Sequence, residues 1–257
     1  MPARDLALLT DAARAAGEIA MRYWRRSPQV WEKGDQGPVT EADIAVNDML
    51  KLALLGARQG YGWLSEETPD DAARLKCEHV FIIDPIDGTR AFIAGEETFS
   101  HSLAVAHNGV VTAGVVYLPA LDRLYTASTA VPAMKDGQPI QCSARMDVQG
   151  ANILTTQASL APDHWPHGVP DIKRSFRTSL AYRLCLAAEG RHDGMLTMRD
   201  AWEWDIAAGG LIAARAGALV TDKTGAALRF NKKTPLAKGV IAAPPGVHAG
   251  FMTLLNA

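Results

Sequence analysis

Four apolar residues, Val80-Phe81-Ile82-Ile83, run directly into Asp84-Pro85-Ile86-Asp87-Gly88-Thr89, and this junction constrains the chain more than any other segment. A run this short, bounded by Glu78-His79 and by Asp-Pro, suits a strand buried on both faces. Pro85 has no N–H with which to continue a ladder, so the chain is expected to turn there. Asp84 then sits at the carboxyl end of the strand with Asp87 three residues on, and a tight turn can aim both carboxylates at one point. Gly88 lets the backbone come close to a ligand. Two hard oxygen donors so placed favour Mg²⁺, which keeps waters and substrate phosphate oxygens in its remaining positions. A helical turn beginning at Gly88-Thr89 would add free N–H groups for a phosphate. Taken alone, the hexapeptide reads equally well as an Asp-capped turn with no ligand.

Two further acidic clusters share the chain. Trp63-Leu64-Ser65-Glu66-Glu67 places paired carboxylates after a short apolar segment, and Trp204-Asp205-Ile206-Ala207-Ala208-Gly209 places an aspartate at the head of a helix rich in small residues. Separately, Glu66 and Glu67 read as a solvated helix start, and Asp205 as an N-cap before a helix over Ile206 to Ala216.

Together with Val39-Thr40-Glu41-Ala42-Asp43, these segments reproduce the order, residue types and spacing of the signatures of the inositol monophosphatase superfamily, which the chain resembles from about Val39 to Gly225. The resemblance implies an α/β sandwich of alternating helix and sheet layers. It implies that Glu66, Asp84, Asp87 and Asp205, with the carbonyl of Ile86, hold two or three Mg²⁺ ions. It also implies that Asp43 and Thr89 orient and help deprotonate the attacking water, with Glu66 joining them in the catalytic set. Attack would be direct, with no phosphoenzyme, and Li⁺ would inhibit at one metal position.

Charge alone makes such chemistry reasonable. A phosphate monoester at neutral pH is a dianion that repels hydroxide, and its leaving oxygen gathers negative charge in the transition state; paired metal ions answer both problems. Four clustered carboxylates either take up protons or hold divalent cations. For the substrate, the inositol-specific branch carries a glutamate seven residues before the aspartate of the Trp-Asp segment, where this chain has Met198. The acidic loop Leu64-Ser65-Glu66-Glu67 is more similar to that of the bacterial 3′(2′),5′-bisphosphate nucleotidases, which remove the 3′-phosphate from 3′-phosphoadenosine 5′-phosphate. Inositol monophosphatase or sugar bisphosphatase activity is the alternative, and a non-catalytic binding protein a further one.

The substrate-binding set expected from the resemblance is Asp87, Gly88, Thr89, Ser179, Tyr182, Arg199 and Asp205. Arg199 and Arg183 are candidates for a second phosphate because a guanidinium fork suits phosphate oxygens. Each also reads as an ordinary surface arginine, Tyr182 as a core tyrosine, and Lys33, ahead of the Val39 segment, as either a site lysine or a solvated one.

Composition agrees with a small-molecule enzyme. The 257 residues are 48% hydrophobic and 21% charged, and 26 basic against 28 acidic residues give a net charge of −2, with no excess that would attract a nucleic-acid polymer. Cys77, Cys142 and Cys185 are widely spaced, which suits a reducing cytoplasm and packing roles. The seven histidines show no zinc-ligand spacing. Leu6 to Met21 is interrupted by charges, and its apolar residues recur at helical spacing, so it reads as an amphipathic surface helix rather than a leader or a membrane span. A helix is expected over Asp43 to Leu55 and another around Leu180 to Gly190. Strands are expected over Ser102 to Ala106, Val110 to Tyr117, Leu124 to Ala127, Ile153 to Thr156, Gly194 to Met198 and Gly239 to Ala243. Asn108-Gly109 marks a hairpin turn of type I′, and Ala158 to Asp171 reads as loop. Two closely packed subdomains, 1–145 and 146–257, are expected to face the site, and a homodimer is an open possibility.

Overall fold

The chain starts with α1 (Pro2–Tyr23), whose Leu6, Leu9, Ala13, Ala16 and Ala20 form the buried stripe read from the sequence. A small hairpin of β1 (Val30–Glu32) and β2 (Pro38–Thr40) leads into α2 (Glu41–Ala57). The structure, a computed structural model, describes residues 1–34 and 37–255.

Then come β3 (Gly62–Ser65), β4 (His79–Asp87), the one-turn α3 (Thr89–Ile93), β5 (Ser100–His107), β6 (Val110–Leu118), β7 (Arg123–Ser128), β8 (Met134–Lys135) and β9 (Gln138–Pro139). These seven strands form one sheet in sequential order, with β3 parallel to β4 and every other pair antiparallel. At the β5–β6 hairpin Asn108 and Gly109 both adopt positive φ, 48° and 78°, as the turn signal requires.

The second half holds β10 (Ala151–Leu154), β11 (Ile172–Ser175), α4 (Leu180–Ala188), β12 (Gly194–Thr197), β13 (Ala201–Trp202), α5 (Glu203–Arg215), β14 (Leu219–Thr221), β15 (Leu236–Ala237), β16 (Val240–Ala243) and α6 (Pro245–Leu255). Five of its strands make a mixed sheet in the order β11-β10-β12-β16-β14. The expected boundary at 145 falls between the two sheets. Within the stretch read as loop, Ala158–Leu160 and Pro162–His164 form short 3₁₀ turns.

Alternation along β4 sorts the layers, because successive side chains of a strand point to opposite faces. Phe81 and Ile83 pack with α1 and α2, whereas Val80 and Ile82 join a core that also takes in α4, α5 and strands of the second sheet. The far face of the second sheet buries Ile153, Leu196 and Ile241 against Val247 and Phe251 of α6. The result is a helix, sheet, helix, sheet, helix stack with α4 and α5 as its shared middle layer. Gly114 of β6 makes the tight fit possible, since a Cβ there would lie 2.9 Å from the Cα of Ala208 in α5.

Candidate active site

Pro85 does not end the strand, contrary to the sequence reading. β4 runs on to Asp87 through a bulge: Asp84 pairs with Ser102 and Asp87 with Ser100, so one extra residue is taken up on β4. Bulges are where a proline is tolerated within a sheet. The extra residue also reverses the alternation. Spaced three apart, Asp84 and Asp87 would face opposite sides of a regular strand, but here Ile86 packs toward α1 and α2 and both aspartates face the α4–α5 layer. The buried His101 on β5 hydrogen-bonds the Pro85 carbonyl through Nδ1. After the bulge, Gly88 adopts φ 98° and the short α3 begins at Thr89.

Glu66 arrives from the neighbouring parallel strand. β3 pairs Ser65 with Ile83, and the Glu66 N–H donates to the Ile83 carbonyl at 3.2 Å, which sets Glu66 beside Asp84. Asn47 of α2 accepts from Ser65 Oγ at 2.8 Å and donates to Thr68 Oγ1 at 3.2 Å, bracing the acidic loop. Asp205 comes from α5. That helix starts at Glu203 with Trp202 as its N-cap residue, so Asp205 lies in the first turn rather than at the cap expected from the sequence. Ser102 Oγ donates to the Trp204 carbonyl at 2.8 Å, tying the start of α5 to β5. One carboxylate oxygen from each of Glu66, Asp84 and Asp205 lies within 4.8 Å of the others.

Asp87 is held separately. Its Oδ2 accepts from Ser179 Oγ at 2.7 Å and from the Ala181 N–H at 2.6 Å. Ser179 is the N-cap of α4 and also meets Ser100 Oγ at 3.0 Å. Ser179 is therefore a support for Asp87. Tyr182, expected at the substrate, is a core residue: it is 3% exposed and its hydroxyl accepts from Arg123 Nη1 at 2.9 Å. Arg183 is also buried, and donates to the Arg177 and Thr178 carbonyls. Arg199 is exposed. Met198 is buried among apolar residues of the second sheet.

Asp43 and Thr89 meet as expected. Thr40 and Asp43 form a capping box at the start of α2, with Asp43 Oδ2 accepting from the Thr40 N–H at 2.8 Å and its hydroxyl at 2.5 Å. Asp43 Oδ1 faces Thr89, whose hydroxyl is 3.3 Å away and also reaches the Ile86 carbonyl at 3.1 Å. Lys33 is no free lysine: it pairs with Glu66 at 3.1 Å and Glu67 at 2.6 Å. A cavity of about 620 Å³ opens beside these residues, walled by the acidic loop, Pro235 and the stacked rings of Trp202 and Trp204.

The electrostatics are those of a cation site. Burial, reinforced by Glu66, Asp87 and Asp205, pushes Asp84 well above the usual carboxylate range. Burial together with Asp87 and Glu66 does the same to Asp205. Burial carries Glu66 up to about 7 despite Lys33, and Asp43 up to about 6 despite its bonds to Thr40. Asp84 Oδ1 is buried with no hydrogen-bond partner. Clustered oxygen donors that resist ionisation, one of them orphaned, fit a hard divalent ion.

A carboxylate cluster against the middle layer of this stack of helices and sheets offers a site for a divalent cation, and comparison with known proteins supplies the class. The Inositol monophosphatase family profile matches residues 2–256. Inositol monophosphatase 1 of Solanum lycopersicum is 30% identical over 262 residues, covering 98% of this chain and 94% of that protein. The 3′(2′),5′-bisphosphate nucleotidase CysQ of Escherichia coli is 29% identical, covering 86% of this chain and 92% of that protein. The solved structure of the IMPase of Thermotoga maritima superposes with a TM-score of 0.82 at 27% identity, covering 100% of this chain and 97% of that one. The chain belongs to the inositol monophosphatase family, whose members are metal-dependent phosphatases.

Proposed function

We propose that the protein uses two or three Mg²⁺ ions, held by Glu66, Asp84, Asp87, Asp205 and the Ile86 carbonyl, to hydrolyse a small phosphomonoester, with 3′-phosphoadenosine 5′-phosphate as the preferred substrate. The observation that carries the metal assignment is the convergence of Glu66, Asp84 and Asp205 around an unpartnered Asp84 oxygen. Bound there, divalent ions would lower the pKa of a coordinated water and neutralise charge on the leaving oxygen.

The chain supplies the rest. Thr89 would accept a hydrogen bond from the attacking water, a role supported by its own hydroxyl donating to Asp43 at 3.3 Å. Asp43, held by Thr40 and facing Thr89, would be the terminal base of that pair. Ser179 and the Ala181 N–H fix the rotamer of Asp87, leaving its other oxygen for the ligand.

The nucleotide preference rests on cations and on what position 198 lacks. Arg183 lies close enough to Asp87, Asp205 and Arg199 to feel their charges, so the exposed Arg199 stands near the carboxylate cluster as a partner for a second phosphate. Met198 offers a ring hydroxyl no acceptor. Phosphate release with Mg²⁺ from 3′-phosphoadenosine 5′-phosphate, myo-inositol 1-phosphate and fructose 1,6-bisphosphate, each with and without Li⁺, tests both parts. Preference for the nucleotide, weakened in KM by Arg199→Ala, supports the substrate assignment. Preference for inositol phosphate overturns it while sparing the metal assignment, and turnover indifferent to chelator overturns the metal assignment.

A further inference from the structure

At the opposite end of β4 and β5 from the carboxylates, a second cluster of donors stands outside the site. His79 and His107 are direct cross-strand partners, and their rings stack with centroids 4.3 Å apart. Tyr61 stacks on the other face of His79 at 4.7 Å. A carboxylate oxygen of Glu78 and a ring nitrogen from each histidine lie within 4.8 Å of one another. The five steps along β4 from His79 to Asp84 separate the clusters by about 16 Å at roughly 3.3 Å per residue.

We propose that Glu78, His79 and His107 form a second metal site, selective for a borderline ion such as Zn²⁺ over Mg²⁺. Two imidazoles and one carboxylate with a position left for water are a zinc-type donor set, whereas Mg²⁺ takes oxygen. The chemistry of the two clusters thus assigns them different ions. His107 Nε2 lies 3.2 Å from Asn108 Nδ2; with the amide as donor, that lone pair is engaged, and a metal bound through Nε2 displaces the Asn108 side chain, which sits exposed in the hairpin turn. Glu78 is exposed and the two histidines half-buried, so the cluster is open to solvent on one side. An imidazole binds a metal in its ring plane, so the stacked pair must splay at its χ angles to converge. The backbone register needs no change. Closed, the site would clip together the outer ends of the two strands whose inner ends carry Asp84, Asp87, Ser100 and Ser102.

The test separates the two sites. Protein carrying Asp84→Asn and Asp205→Asn, which disarm the carboxylate cluster, should still retain one Zn²⁺ per chain in equilibrium dialysis against excess Mg²⁺. Adding His79→Gln and His107→Gln should remove it. In the otherwise wild-type chain with saturating Mg²⁺, Zn²⁺ at about 100 times its Kd should raise Tm by roughly 5–10 °C. His107→Gln should lose that rise while keeping its Mg²⁺-dependent phosphatase rate. Failure of the Asp84→Asn/Asp205→Asn protein to hold zinc, together with an unchanged Tm in the wild-type chain, overturns the proposal. So does equal zinc retention with and without the two histidines.

Discussion

Replacing Glu66 by Gln should stabilise the metal-free protein at pH 8 and make no difference near pH 4. Burial lifts the Glu66 carboxyl from 4.5 to about 7, with Glu67 and Asp87 adding to the rise and Lys33 opposing it. A carboxyl whose pKa is higher in the folded state binds more protons there than in the unfolded chain, so it loses stability as pH climbs. The Glu66 contribution is complete below about 4.5, declines between 4.5 and about 7, and is spent above that. At about 1.4 kcal/mol per pH unit, the interval is worth about 3 kcal/mol. Gln has nearly the same volume and no charge to bury, so Glu66→Gln escapes the loss. For a chain of this size about 3 kcal/mol corresponds to roughly 6–12 °C in Tm. The assay is thermal unfolding of both proteins in chelator from pH 4 to pH 8. Taking their difference cancels titrating groups that do not feel Glu66, such as His101, which burial pushes down to about 4. Excess Mg²⁺ at pH 8 should then raise the wild-type Tm more than that of the variant. Parallel curves across the whole pH range would refute the reasoning, because they would mean that Glu66 ionises freely in the folded protein.

Asp87→Asn should keep the fold, since its Oδ1 can still accept from Ser179 and Ala181, but lower kcat by roughly 100-fold or more, the several kcal/mol expected of a metal-site charge; near-wild-type turnover at saturating Mg²⁺ would remove Asp87 from the ligand set. Thr89→Ala should lower kcat by roughly 100-fold with KM for Mg²⁺ largely kept, the size expected when a proton-transfer partner is lost, and an unchanged kcat would sink the role given to its hydroxyl. Gly114→Ala would push a Cβ against the Ala208 backbone, 2.9 Å from its Cα and 3.1 Å from its carbonyl oxygen. Overpacking of that kind costs about 1–3 kcal/mol, so calorimetry should show a clear fall in Tm, and no fall would mean that α5 can shift away.

The features legible in the sequence are those written in neighbouring residues. The hairpin at Asn108-Gly109, the stripe of α1 and the helix carrying Asp205 follow from local spacing, and the carboxylates were recognisable because three motifs recur together. What stayed hidden depends on partners far along the chain. Nothing near Pro85 announces that His101 will hold its carbonyl, or that β5 will pair on both sides of it. Ser179 resembled a substrate contact because its bond to Asp87 spans 92 residues. Tyr182 lies in a helix whose described residues are all buried, and no single face of the pattern distinguishes a wall of the site from the inside of the core. Lys33 reads as solvated until the acidic loop is folded against it.

The bulge in β4 makes strand pairing a chemical variable. Side chains on a strand obey a parity rule, and the one residue taken up between Asp84 and Asp87 shifts that parity so that both carboxylates point the same way. Ironing out the bulge with every residue kept would leave the composition intact, yet turn one aspartate toward the apolar side where Phe99 and Leu103 lie. A conservative substitution alters the strength of one donor, but a frame slip alters which side of the sheet it serves. The irregular pairing between these aspartates is thus as much a part of the proposed metal site as their identity.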